Sequence, residues 1–421
     1  MRDRKHRDSH ESDHLVGAGV RNPAPDAPEG RTVTYAIDTA KLDRVRALMA
    51  DDGLDALVVR SPDNVCYLTN YWSMKGYAMA VFPREGDPTL MALVPQEEEA
   101  HEMAWTSDIL LFNGYDPADP RPPAARSLDR TLEVLRERGL TGRIGIERSQ
   151  LSQGADRMAG EPTVFTEAYF HAFDGVAEKV VDAVPLLTRA RLIKTPQEIE
   201  RMSIANELAA LALEHCRERI RVGMSTAELG ALWEGHVHEV GIGFDDKVLM
   251  ARGFSLVWSG DGIRTFTPTK GEPVVSDEPT LFEIWVCADG YWNDLTKNMV
   301  VGTLTPRYDR LLDDLLAVWR RAIAYARPGV PLAGLDRIIR EGIVEAGYDS
   351  PSHPVSHGVG TRAHEPPWPH QAGEGMIEEG MVLAIEPGTY FPGGGGLRLE
   401  DNFLITADGA KKLCRYEDDF R

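Results

Sequence analysis

The chain has 421 residues, 66 of them acidic and 46 basic, which gives a formal net charge of -20 at pH 7. That balance argues against nucleic acid and anionic membranes as partners, because both need clustered positive charge. The length suits two or three domains, and 43% hydrophobic residues suffice for an ordinary globular core.

Residues 1–34 contain no apolar run, so they read as neither a secretory signal nor a transmembrane helix. Their charge and Pro/Gly content predict a disordered tail with His6, His10 and His14 solvated. Structure is expected from Tyr35 onward. Leu42, Val45, Leu48 and Met49 form one helical face, closed by Asp51, Asp52 and Gly53, and a buried strand Ala56–Val59 follows. Ala78–Phe82 and Thr89–Val94 read as the next strands. Four prolines in Tyr115–Pro123 predict a surface loop. Leu128–Arg138 reads as a helix and Arg143–Glu147 as a strand. This alternation, over 35–185, predicts an α/β domain.

A join is expected at Leu192–Met202, where Thr195 caps a helix that begins at Pro196. A second helix over Ser225–Val240 comes next. Helices at Tyr308–Ala326 and Leu332–Ala346 then separate strands in LFEIWV, VLAIEPGTY and LRLEDNFLIT, so 190–421 forms a second α/β (α+β) domain. The glycines at 393–396 read as a hairpin turn, and no phosphate-binding loop is present. Cys66, Cys216, Cys287 and Cys414 have no paired spacing and read as buried thiols in a reducing compartment. A cytoplasmic protein is expected.

The chemistry concentrates in the last third. Glu283 and Asp294 stand in LFEIWVCADGYWNDLTK, where a hairpin turning at Gly290 and Tyr291 brings both carboxylates to one site. SHGVGTRAHEPP carries His357 and His364, IEPGTY carries Glu386, and GLRLEDN carries Arg398 and Glu400. Residues two apart in a strand share a face, so Arg398 and Glu400 can share the site. Four carboxylates and an imidazole suit two hard divalent cations, which polarise a carbonyl or amidine.

These blocks, in this order, resemble the superfamily of creatinase, prolidase, aminopeptidase P and methionine aminopeptidase. The resemblance extends to SPDNVCYLTNYW at 61–72 and LIKTPQEIERM. It implies an N-terminal creatinase-like domain and a C-terminal catalytic domain with the pita-bread fold. It also implies two divalent ions (manganese, iron, cobalt or zinc) held by Glu283, Asp294, His357, Glu386 and Glu400. Asp294 and Glu400 would sit between or beside both ions. Glu386 would serve as general base and His364 would stabilise the oxyanion or protonate the leaving nitrogen. A homodimer is expected, because relatives close the pocket with a neighbouring protomer.

Two departures bear on the reaction. Glu283 stands where the family usually has aspartate, a feature shared with ectoine hydrolase-like members. A substrate-contacting histidine of the peptidases is missing: no histidine lies between His238 and His353, and the stretch offers Arg264, Thr265 and Thr267 instead. The leading expectation is therefore a metal-dependent hydrolase of a C–N bond in a small molecule or dipeptide. Arg398 and Arg264 are candidates for the substrate's acidic group. The alternatives are an Xaa-Pro dipeptidase or aminopeptidase, a lyase resembling dimethylsulfoniopropionate lyase, and a metal-free enzyme with Glu283 as nucleophile. A family member retained for binding alone is disfavoured, because idle packed carboxylates repel. Trp258, Trp285, Trp292 and Trp368 are candidates for a cage around a cationic or ring-shaped substrate. Lys297 is expected near the ligands.

Overall fold

The structure is a computed structural model that describes residues 35–149, 166–265 and 267–421. The expected tail lies outside these residues.

The N-terminal part is built on a six-stranded mixed sheet, in the order β4-β3-β2-β1-β5-β6. Its strands are β1 (Ala56–Val59), β2 (Met79–Pro83), β3 (Thr89–Leu93), β4 (Ile109–Phe112), β5 (Arg143–Ile146) and β6 (Lys179–Asp182). The helices are α1 (Thr39–Asp51), α2 (Pro62–Thr69), α3 (Glu97–Met103), α4 (Pro123–Glu137), α5 (Glu167–His171) and α6 (Val184–Leu192). β1 is buried on both faces, so it reads as an unbroken apolar run rather than an alternating one. The helix expected to begin at Leu128 begins at Pro123. The last proline of the expected loop is thus the first helical residue, where a missing N–H costs nothing.

The C-terminal part opens with α7 (Pro196–Arg217), capped by the expected Thr195. Thr195 Oγ1 accepts from Glu198 N while Glu198 Oε2 accepts from Thr195 N, a reciprocal capping box. Next come α8 (Thr226–Gly241) and the strands β7 (Ala251–Ser259), β8 (Pro279–Ala288), β9 (Tyr291–Trp292) and β10 (Leu295–Val300). After α9 (Pro306–Tyr325) and α10 (Leu332–Glu345) come β11 (Ser356–Gly358), β12 (Val382–Ile385), β13 (Gly388–Tyr390), β14 (Gly396–Arg398), β15 (Asp401–Thr406) and β16 (Gly409–Lys412).

Two sheets carry the site. In the first, β8 lies between β7 and β10; in the second the order is β11-β12-β15-β16. Each packs one face on its own helix pair. Phe282, Ile284 and Val286 of β8 meet Leu208, Trp233 and Val237 of α7 and α8. Leu383, Ile385 and Phe403 meet Leu312, Leu315, Trp319 and Ile339 of α9 and α10. Strand alternation then sends Glu283 and Trp285 of β8 to the face away from the helices. A backbone bridge between Thr296 and Glu400 joins the two sheets there.

Candidate metal centre

Glu283 reaches the site on β8, and Asp294 stands one residue before β10. Their hairpin turns at Asp289 and Gly290, both with positive φ (46° and 87°), not at Gly290 and Tyr291 as expected. An Asp-Gly pair with both residues left-handed matches the twist of the flanking strands. The resulting register sets Thr296 opposite Glu283. Asn402 then clamps Asp294 by its backbone: Asp294 N donates to Asn402 Oδ1 at 3.1 Å, and Asn402 Nδ2 donates to Asp294 O at 2.8 Å.

Glu386 and Glu400 occupy breaks between strands. The segment VLAIEPGTY is not one strand but two, because Pro387 has no N–H for the ladder and the chain leaves β12 for β13. LRLEDNFLIT likewise divides into β14 and β15 around Leu399 and Glu400. Both glutamates thereby leave their ladders and turn toward Asp294 and His357.

Ligand atoms of Asp294, His357 and His364 lie within 4.8 Å of one another, as do those of His357, Glu386 and Glu400. His357 Nε2 is 3.4 Å from both Asp294 Oδ2 and Glu386 Oε1, and His364 Nε2 is 3.1 Å from Asp294 Oδ2. His357 Nδ1 lies 3.0 Å from Gly358 O. A proton on Nδ1 donates to that carbonyl and leaves the Nε2 lone pair facing the carboxylates. Burial and the nearby His364 hold His357 below the usual imidazole range, although Asp294 and Glu386 oppose them. The ring is therefore neutral near pH 7, as a ligand must be.

The carboxylates are short of positive charge. Burial, then Asp294 and Glu386, push the Glu400 carboxyl well above its ordinary range, against Arg398 and a 2.6 Å hydrogen bond donated by Thr296 Oγ1. Burial also raises Glu283, with Arg398 opposing. Burial alone would raise Glu386 too, but His353, His357 and Arg398 hold it below the usual range. Asp294 Oδ2 is buried and makes no well-directed hydrogen bond, although the ring nitrogens of His357 and His364 lie beside it. A lone pair and carboxylate oxygens converging without enough donors is the donor set that a divalent cation fits.

The expected residues fall into distinct groups. Asp294, His357, His364, Glu386 and Glu400 come together. Glu283 is beside them but in neither ligand cluster; its Oε2 faces Arg398 Nη2 at 2.8 Å. Arg398 is engaged by the protein, with Nε donating to Thr296 Oγ1 at 2.7 Å and Nη1 to Tyr390 Oη at 3.2 Å. It braces both Glu283 and Glu400. Arg264 is exposed and donates to backbone carbonyls, those of Asp261 and, at 3.1 Å, of Gly393 in the glycine turn between β13 and β14.

Lys297 faces away from the site, since it follows Thr296 by one residue in β10; it is buried in an ion cluster with Asp401 and Asp418. Of the tryptophans, Trp285 stands 6.3 Å from the His364 ring and Trp368 stands 5.5 Å from that of His357. Trp258 packs with Ile263 and Leu281, and Trp292 against Met202 and Tyr291. All four cysteines are buried and unbridged.

Three residues were not singled out from the sequence. His353 Nδ1 lies 3.3 Å from Glu386 Oε2, and its Nε2 is 3.4 Å from Tyr390 Oη. Its spacing of four before His357 was the available signal. Thr296, two residues beyond Asp294 on the same strand face, was legible by alternation. Tyr390 had no signal, because its position follows from the break after Glu386.

Residues 41–193 match the creatinase/prolidase N-terminal domain, and residues 200–407 match metallopeptidase family M24. An Xaa-Pro dipeptidase of Pyrococcus furiosus is 30% identical over 381 residues, covering 90% of this chain and 98% of that protein. One of Lactobacillus helveticus is 27% identical over 393 residues, with the same shares of each chain. Among solved structures, the Xaa-Pro dipeptidase from Bacillus anthracis superposes with a TM-score of 0.74 at 21% identity, over 91% of this chain and 99% of that one. The prolidase from Pyrococcus furiosus gives 0.69 at 26% identity, over 88% and 99%. With the two family models matched in succession and a relative of this similarity along nearly its whole length, the chain belongs to metallopeptidase family M24, in the creatinase/prolidase superfamily.

Proposed function

We propose that the chain is a metal-dependent hydrolase that cleaves the C–N bond of a dipeptide, with Xaa-Pro dipeptides as the first substrates to try. The observation that carries this reading is the convergence of Asp294, His357, Glu386 and Glu400 in overlapping clusters whose ligand atoms lie within 4.8 Å. The names of the relatives favour a dipeptide over other small molecules, and hydrolysis over elimination.

Asp294, His357, Glu386 and Glu400 would hold two divalent ions, manganese, iron, cobalt or zinc, with Glu283 as the fifth ligand. The chemistry such ions supply when bound is polarisation of the scissile carbonyl and a lowered pKa for the attacking water. Glu386 takes a proton from that water and delivers it to the leaving nitrogen. His364, with 35% of its side chain exposed beside the buried Asp294, would donate to the carbonyl oxygen as negative charge develops. Arg398 keeps Glu283 and Glu400 oriented from behind.

The test is a panel of Xaa-Pro dipeptides with manganese or cobalt added, together with elemental analysis. Cleavage that disappears on chelation, and about two ions per chain, are expected. Failure across the whole panel overturns the dipeptidase reading. Cleavage that survives exhaustive chelation overturns the metal mechanism in favour of Glu283 as nucleophile. A stoichiometry of about one ion removes Glu283 from the ligand set.

A further inference from the structure

Glu365 follows His364 directly and has no part in the chemistry above, yet its carboxylate is only 1% exposed and carries two cations. Lys194 Nζ donates to its Oε1 at 2.8 Å, and Arg191 Nη2 donates to its Oε2. Arg191 belongs to α6 and also donates to Asp63 Oδ2 of α2 at 2.6 Å. Asp63 accepts in turn from Arg362 Nε at 2.8 Å. The segment bearing His364 is therefore gripped at 362 and at 365 by charges from the N-terminal part of the chain.

The backbone adds a second restraint. Gly358 N donates to Glu365 O, and Glu365 N donates to Gly358 O, each at 2.9 Å. This pair lies one residue from each imidazole and leaves the His357 and His364 ring centroids 4.6 Å apart. The approach requires glycine: a Cβ on Gly358 would meet Pro366 O at 2.3 Å, and one on Gly360 would meet Glu365 Oε1 at 2.5 Å. Burial would raise the Glu365 carboxyl, but Arg191 and Lys194 overcome it and hold the group below its usual range, so it is ionised near neutral pH.

We propose that Glu365 is a positioning residue: anchored to Arg191 and Lys194, it fixes the direction in which the His364 imidazole meets the substrate. The inference rests on the reading of His364 given above. Glutamine at this position keeps the volume and removes the charge that holds both cations. A misplacement of about 1 Å at a reacting group lowers turnover by up to about 100-fold.

The experiment uses the manganese-loaded full chain with leucyl-proline. Glu365→Gln is expected to lower kcat about 10- to 100-fold, with KM changed by less than about twofold. His364→Asn lowers kcat by itself, and adding Glu365→Gln to it costs less than about twofold more, because the carboxylate acts through the imidazole. A double variant that shows the full product of the two losses, or a Glu365→Gln enzyme with unchanged kcat, overturns the positioning role and leaves the proposed function standing. His364→Asn with unchanged kcat overturns the role read for His364 and, with it, the positioning proposal. Lys194→Met removes one of the two partners and is expected to show the same non-additivity with a smaller loss, should Glu365→Gln not fold. A crystal structure of either variant supplies a readout apart from activity. His364 Nε2 is expected to move from its 3.1 Å approach to Asp294 Oδ2, and an unmoved ring overturns the proposal.

Discussion

Glu400 lies with Asp294 and Glu386 in a buried pocket, and its carboxyl is held well above 4.5, the ordinary glutamate value, by burial and then by those two charges. A carboxyl with a higher pKa in the folded protein makes the folded state bind more protons than the unfolded one. Stability contributed by this group is then present at low pH and is lost as pH rises through the raised pKa. In the proposed centre a divalent cation would take the place of the proton, and His357, held below the usual imidazole range, is neutral near pH 7 and able to ligate there. Manganese or zinc should therefore raise the thermal midpoint of metal-free protein, by an increment that grows as pH rises through the raised carboxyl range. At about 100 times the dissociation constant the stabilisation is about 2.7 kcal/mol. Melting curves at stepped pH, with and without metal, measure it. An increment that does not vary with pH would mean that these carboxylates are not the ligands.

Among the elements, the hairpin of β8, β9 and β10 decides whether the site assembles. Gly290 has φ 87°, and a Cβ there would meet Cys66 Sγ at 2.7 Å and Trp72 Cγ at 3.0 Å, both from the N-terminal part. Gly290→Ala therefore combines backbone strain with a clash and is expected to cost about 2 kcal/mol. Urea denaturation measures this, and a loss under about 0.5 kcal/mol would show that the turn adapts. The hairpin, the capped α7 and the strand β1 were legible in the sequence because each has a local cause: a turn at Gly290, although its residues were expected one position late, a Thr-Pro start, an apolar run. The pairing of Glu386 and Glu400 with Asp294 was legible only through the family's motif order. Their departure from VLAIEPGTY and LRLEDNFLIT depends on Pro387 and on the bridge from Glu400 to Thr296, which is a contact between distant segments. The role of Arg398 depended on the same long-range packing. Its three donor nitrogens face Glu283, Thr296 and Tyr390, and none of those partners follows from spacing.

Among the described residues, one tie between the N- and C-terminal parts centres on Arg201, an α7 residue buried against the N-terminal part. Its guanidinium lies 4.3 Å from the centroids of both Tyr35 and Tyr291. Nη1 donates to Asn70 Oδ1 at 2.5 Å and Nη2 to Asp289 O at 2.6 Å. Asn70 ends α2, and Asp289 is the first residue of the β8–β9 turn, so one side chain links the N-terminal fold to the hairpin that carries Glu283 and Asp294. Lys41 supports it from α1, donating to Tyr291 Oη at 3.0 Å, and that hydroxyl donates to Glu198 Oε1 at 3.0 Å. Arg201→Met keeps much of the apolar stem but removes the donor to Asn70 Oδ1 and leaves Asp289 O with only the weak Cys66 thiol contact at 3.7 Å. The expected cost is about 3 kcal/mol, since hydrogen bonds to a charged group contribute about 1.5–3 kcal/mol each. Because the lost contacts join the two halves, the cost should also appear as lost cooperativity. Calorimetry of the wild type should give one transition, and Arg201→Met should give two, the lower one removing metal affinity with it. A single transition at the wild-type midpoint would show that the halves are held together by other contacts. Two transitions with metal binding unchanged in the first would show that the hairpin keeps its register without the N-terminal part.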